Sequence, residues 1–179
     1  MAPTKWVVDP IHSEVQFRVK HLMITSVSGY FRNFNIVAFT PDEDFSEVEE
    51  VVFTADVNSI STNNVQRDTH LKSPDFFDVE KHNEIRFVAD RYQHVNGSRY
   101  KLHGELSIRD VSKPVTVDVE FGGTVVDPYG QTKAGFTVSG KISRKEFGLT
   151  WNAVTEAGSV VVGDEIRLHA EVQLVKQTV

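Results

Sequence analysis

The chain has 179 residues, a length that points to a single domain spanning 1–179 with a substantial core. It contains no cysteine, which excludes disulfides, thiolate chemistry and Cys-based zinc sites. A formal net charge of −6 argues against a nucleic-acid partner, whose phosphates call for clustered Lys and Arg.

No apolar run approaches the roughly 20 residues of a membrane-crossing helix, so the chain reads as not membrane-spanning. The N-terminal "MAPTKWVVDP" lacks the apolar core of a signal peptide. The expected location is therefore cytoplasmic, or periplasmic or secreted if the chain is a processed export form.

In chain order, the predicted elements are strands, because apolar and polar side chains alternate with a period of two. "EVQFRV" turns Val15, Phe17 and Val19 to one face and Glu14, Gln16 and Arg18 to the other. The less regular "GYFRNFNIVAFT" follows, and "VVFTADVNSI" presents Val51, Phe53, Ala55 and Val57. Between about residues 61 and 80 the alternation stops. There "STNNVQRDTHLKS" offers Ser61, Thr62 and Asn63 as caps and predicts a short helix ending before Pro74, docked through Val65 and Leu71.

The pattern resumes with "EIRFVADRY" (Ile85, Phe87, Ala89), "YKLHGELSIR" (Tyr100, Leu102, Leu106, Ile108) and "PVTVDVEFGG" (Val115, Val117, Val119, Phe121). "GFTVSGKIS" and "EIRLHAEVQLVK" complete a set of about eight strands. The turn signals "TPDED", "VNGS", "RDVSKP", "DPYGQ", "EAGS" and "VGD" predict a meander of antiparallel neighbours.

Such a sheet, dry on one face, must split into a sandwich or close into a barrel. Closure removes exposed edges, and an eight-stranded barrel has room for one small ligand. Parity turns Phe17, Val19, Phe53, Phe87, Leu102, Leu106, Phe136, Val138 and Ile142 to the interior. Parity alone leaves both a filled core and a hollow lumen open. Gly104 and Gly140, on the same face, read equally as room for a guest and as points of barrel curvature.

"IHSEVQFRVKHL", "GYF", "RDTHLKSPDFFDVEKHNEIRF", "GELSIRDVSKPV" and "SRKEFGL" occur in the order and spacing that resemble the YceI-like family of lipid-binding proteins, from about Trp6 to Leu174. The joint presence of "RDTHLKSPDFFD" and "RKEFGL" is the specific part of the match. The resemblance implies an all-β, lipocalin-like, up-and-down antiparallel barrel of about eight strands with one helix-and-loop insertion. It further implies a non-catalytic carrier whose lumen holds a long-chain amphipathic lipid: a polyisoprenoid, an isoprenoid quinone or a fatty-acyl compound. A hydrophobic small molecule is then the partner, no cofactor is required, and a homodimer is admitted. Two positions depart from the family pattern. Asp110 stands where glycine is usual, and His82-Asn83 stand where an aromatic followed by proline is common.

Near the expected mouth, His21 continues the inward parity of its strand and is a candidate to meet a lipid head group, or backbone at the rim. Arg67, Asp68 and His70 are close enough in sequence for one polar network, either a latch fixing the insertion or a contact to a phosphate-bearing head. Leu71, Phe76 and Phe77 are expected to cover the barrel, the two rings pointing in different directions. Arg144, Phe147 and Gly148 read as architectural, the arginine bonding loop carbonyls and the glycine allowing a turn.

The seven histidines show no metal-ligand spacing such as HExxH, so no metal is expected; a set of His12, His70 and Asp75 assembled by folding is the alternative. No GxSxG elbow or Gly-rich nucleotide loop is present, and no catalytic residue is assigned. Two other functions stay open: a stress-related or structural protein-interaction module with a filled barrel, and a weak metal-dependent hydrolase.

Overall fold

The computed structural model describes residues 3–152 and 161–177; the "EAGS" turn lies outside the described residues. The strands are β1 (Thr4–Val8), β2 (Glu14–His21), β3 (Thr25–Phe31), β4 (Phe34–Thr40), β5 (Glu50–Asp56) and β6 (Ile60–Ser61). They continue as β7 (Glu84–Asn96), β8 (Arg99–Ile108), β9 (Val111–Val126), β10 (Thr132–Ser143) and β11 (Val162–Lys176). One helix, α1 (Val65–Lys72), lies between β6 and β7.

All the pairings are antiparallel. The first six strands are three long staves, each broken once: β1 pairs with β4 while β2 pairs with β3, and β4 pairs with β5 while β3 pairs with β6. From β5 the order runs β7, β8, β9, β10, β11. The far edge of β11 then pairs with both β1 and β2, which closes an eight-stranded up-and-down barrel. The predicted fold class is the observed one.

The breaks have local causes. At the β1–β2 corner Pro10 cannot donate to a ladder, and the Asp9 carboxylate accepts from the Ile11 amide at 3.1 Å. Asp56 accepts from the Asn58 amide at 3.0 Å and breaks the third stave in the same way. "GYFRNFNIVAFT", which the alternation treats as one strand, divides at Arg32-Asn33, where both amides turn to Ser59 instead of continuing the ladder. The helix cap is Asn64, whose side chain accepts from the Arg67 amide at 2.9 Å, one position beyond the predicted caps.

The glycines serve packing. A Cβ on Gly104 would strike the Val88 carbonyl oxygen and come within 2.8 Å of the Ala89 Cα on the adjoining strand. At Gly140 it would lie 3.0 Å from a Val117 methyl. Both positions are close approaches between staves, so neither leaves room for a guest.

One end of the barrel is plugged by the loop between β4 and β5. Its Phe45 turns inward and is nearly fully buried, with ring centroids 4.5 Å from Trp6 and 4.8 Å from Phe136. Trp6 is wholly buried and donates its indole N–H to Thr40 Oγ1 at 3.1 Å. The other end carries α1, the loop that follows it, and the short 3-10 turn Arg144–Phe147.

An ionic latch ties the closure seam. Lys133 on β10 donates to Asp9 at 2.9 Å and sits 3.4 Å from Asp127, so it links the β1–β2 corner to the β9–β10 hairpin. The bond from Lys133 holds the Asp9 pKa at about 2, against 3.8 for a free carboxyl. A depressed carboxyl pKa means that this stabilisation is complete above about pH 4 and is lost as the pH falls through about 2. In urea denaturation, Lys133→Met is expected to be less stable than the native protein near neutral pH, with a flatter decline below pH 4.

Candidate functional site

The closed sheet surrounds a cavity of ≈ 230 Å³. Eight of the nine residues expected inside line it: Phe17, Phe53, Phe87, Leu102, Leu106, Phe136, Val138 and Ile142. Register explains the grouping, since Phe53 pairs with Phe87 and Phe87 with Leu106, which sets three large side chains in one row across three staves. Val19 lies apart from this wall, half-buried between Val27 and Ile166. Phe31, Ile36, Phe45, Tyr92 and Val117 belong to the wall as well. The wall contains no Asp, Glu, Lys or Arg, and the surface it presents is carbon. An engineered apolar cavity of roughly 150 Å³ already stays free of water and accepts benzene, so this larger one favours an apolar guest over solvent.

Tyr92 joins the wall against the parity of its strand. Continuing the parity of Phe87 and Ala89 would bring Arg91 inside, but a bulge between Ala89 and Arg91 shifts the register and turns Tyr92 inward. Its ring stacks on Tyr100 at 4.2 Å, nearly parallel, and Tyr100 meets His94 edge-on at 5.1 Å. The Tyr92 hydroxyl is sealed from solvent and has no hydrogen-bond partner among the described residues. Burial pushes the phenol pKa far above its ordinary value, so the hydroxyl keeps its proton.

At the opposite end the insertion divides into two polar groups, where one network was expected. Arg67 donates to Thr62 Oγ1 at 2.8 Å and to the Thr62 carbonyl at 2.7 Å. Asp68 accepts from the Thr62 amide at 2.8 Å and from its hydroxyl at 2.6 Å. Adjacent helical residues do not face each other, and here both reach the same buried threonine, which fastens α1 to β6.

His70 stands apart. It pairs with Asp75 at 2.8 Å and packs edge-on against Phe76 and Trp151, at 5.1 and 4.6 Å. Phe76 is buried in that cluster, whereas Phe77 turns to Phe31 of the wall at 6.4 Å, so the two rings diverge. Leu71 docks α1 on the core. His21 is exposed at the end of β2, opposite Thr25 and Val162, and lies off the wall.

Arg144 anchors this end. It is almost completely buried, and its guanidinium donates to the carbonyls of Gly163, Leu149, Trp151 and Val162 at 2.6–3.2 Å. Gly148 ends the adjoining turn with φ 80°, a conformation glycine adopts freely. His12 is held by Asp9 at 2.9 Å on the β1–β2 corner, while Asp75 belongs to His70 in the insertion. Among the described residues no three His, Asp or Glu side chains converge as metal ligands.

Residues 6–174 match the YceI-like domain. The chain belongs to the YceI-like family. It is 35% identical over 173 residues to a UPF0312 protein of Staphylococcus epidermidis, covering 95% of this chain and 96% of that one. A YceI protein of Campylobacter jejuni superposes with a TM-score of 0.74 at 33% identity, covering 89% of this chain and 90% of that one. BcnA of Burkholderia cenocepacia superposes at 0.79 with 21% identity over 93% and 98% of the two chains. A polyisoprenoid binding domain from Saccharophagus degradans superposes at 0.67 with 11% identity over 96% and 98%, a likeness of fold.

The Arg144 cluster gives a direct test of the YceI-like scaffold. Arg144→Met leaves four carbonyls without their donor and is expected to cost at least about 3 kcal/mol in denaturant unfolding, with Arg144→Lys recovering part of the loss.

Proposed function

We propose that this protein is a non-catalytic carrier that holds a long-chain amphipathic lipid in its barrel: a polyisoprenoid, an isoprenoid quinone or a fatty-acyl compound. One observation carries the reading: a closed barrel around a ≈ 230 Å³ void that presents only carbon and is lined by no Asp, Glu, Lys or Arg. The polyisoprenoid-binding domain of Saccharophagus degradans, similar in fold, supports it. A barrel serving only as a filled interaction module has no use for such a void.

The chemistry is that of a tail and not of a head. Each methylene moved from water into the lumen contributes about 0.8 kcal/mol, close to fourfold in affinity. Binding therefore strengthens with the length of chain buried, and specificity for the exposed head stays weak. A chain longer than the void is accommodated by displacing the aromatic rings at its two ends. Phe45 caps one end on a loop, and Phe77 meets the wall from the insertion at the other.

Calorimetric titration with a homologous series of alkyl chains tests this. Affinity is expected to rise by up to about fourfold per added methylene and then to level off when the lumen is full. Leu106→Trp, which narrows the lumen at the Phe53–Phe87–Leu106 row, is expected to bring the plateau to shorter chains without changing the far-ultraviolet circular dichroism. Affinity independent of chain length in the native protein would rule out a lumenal site.

A further inference from the structure

We propose that the tip of the β2–β3 hairpin docks the protein on the surface of an anionic lipid bilayer. Its apolar side chains enter the interface, and the basic side chains beside it face the lipid head groups. The inference concerns the outer surface and stands whether or not the lumen holds a guest. The turn runs His21-Leu22-Met23-Ile24 and is closed by the Ile24 amide, which donates to the His21 carbonyl at 3.2 Å. Leu22 and Met23 both take positive φ, 53° and 60°, in the left-handed region that Asn and Gly usually supply in tight hairpins. A residue with a Cβ pays a steric cost for that backbone. Burial does not offset it: Met23 is 54% and Ile24 76% exposed, and Leu22 lies outside the hydrophobic core. The tip is at the insertion end of the barrel. Val162, which faces His21, is held by Arg144, and Arg144 also holds Trp151 against His70 of α1. Val65, expected to dock α1, is instead 82% exposed where that helix begins. A strained turn that exposes apolar side chains points to a use outside the molecule.

Charge decides what meets the tip. Arg18 and Lys20 are exposed on β2 just before the turn, and neither has an ion-pair partner among the described residues. Arg18 lies directly opposite Arg167 on β11, and like charges so placed repel each other. The acids on this end of β11 are already engaged. Asp164 accepts from Ser143 at 2.6 Å, and Glu165 lies 3.6 Å from Lys141 and 3.9 Å from Arg167. An excess of positive charge therefore stands beside the tip, on a chain whose net charge is −6. The far end of the barrel is the reverse case. Val126 and Tyr129 are exposed on the β9–β10 hairpin, but the β4–β5 loop at that end carries Asp42, Glu43, Asp44, Glu47 and Glu49 with no Lys or Arg. Anionic lipids repel that loop and attract the β2–β3 tip, by about fivefold in affinity for each basic side chain near the surface. A protein partner fits less well. Stable protein interfaces cover roughly 800 Å² on each side, far more than a turn offers, whereas a bilayer accepts a narrow apolar tip.

The experiment sediments the full chain with vesicles of phosphatidylcholine, alone or mixed with phosphatidylglycerol. Two double variants are compared with the native protein. Leu22→Asn with Met23→Gly removes the apolar tip and gives the turn residues suited to positive φ, so its urea midpoint is expected to match or exceed the native one. Its partition onto the anionic vesicles is expected to fall at least about tenfold. Arg18→Gln with Lys20→Gln is expected to lose about fivefold for each charge on anionic vesicles, and added salt is expected to weaken the native protein more than this variant. Alkyl-chain titration is expected to give native affinities in both variants, since neither touches the wall. A native protein that partitions equally onto the two vesicles, or onto neither, overturns the proposal and leaves the lumenal site standing. A turn variant that binds anionic vesicles as tightly as the native protein also overturns it. So does a native dimer, formed without vesicles, that the turn variant converts to a monomer, because the tip then belongs to a second copy.

Discussion

The constraint on which the structure depends is the double pairing of β11, with β10 along one edge and with β1 and β2 along the other. An open sheet of eight staves would leave two unpaired edges and one long apolar face to hide. Closure resolves both at once: every stave gains two neighbours, and the apolar face becomes an inner wall. A ring of eight strands is just wide enough to be filled by side chains or to hold one small ligand, so the side chains that point inward decide whether a void remains. The void is thus a consequence of strand number and of which side chains point inward. The Asp9–Lys133–Asp127 latch and the Trp6–Phe45 contact lie beside the seam and hold it at the end where β1 joins.

Much of this was legible in the period-two alternation, for a physical reason. Side-chain direction in a strand depends only on position within that strand, so eight of the nine side chains assigned to the interior do line the wall, although no neighbour was known. What escaped depends on contacts distant in sequence. Phe45 follows "TPDED" directly in the irregular loop between β4 and β5, and only the folded position of that loop over Trp6 turns it inward. Tyr92 was hidden because a bulge reverses parity within one strand, and nothing in "VADRY" marks it. Arg67, Asp68 and His70 were grouped by closeness along the chain. A helix points neighbouring side chains apart, and Thr62 and Asp75 drew them into separate groups. Gly104 and Gly140 were ambiguous until the adjoining staves were in place, since close approach is a property of two strands and not of one.

The polar frame of the insertion end and the rings that touch the void are held by different kinds of contact. Arg144, with its four carbonyls, and Thr62, gripped by Arg67 and Asp68, fix the frame of one end through many directional bonds. The rings that touch the wall from each end, Phe77 and Phe45, are held chiefly by aromatic packing. Packing without directional bonds is what a side chain can give up and recover as a guest of similar character takes its place. Rigidity therefore resides in the polar frame, and adaptability in the apolar contacts that face the void.

The most direct test is a crystal structure of the protein purified from cells with no lipid added. The account predicts continuous elongated density along the barrel axis, bounded by Phe45 at one end and by Phe31 and Phe77 at the other. A centre in which Phe17, Phe87 and Phe136 close upon one another, with neither density nor void between them, would contradict it.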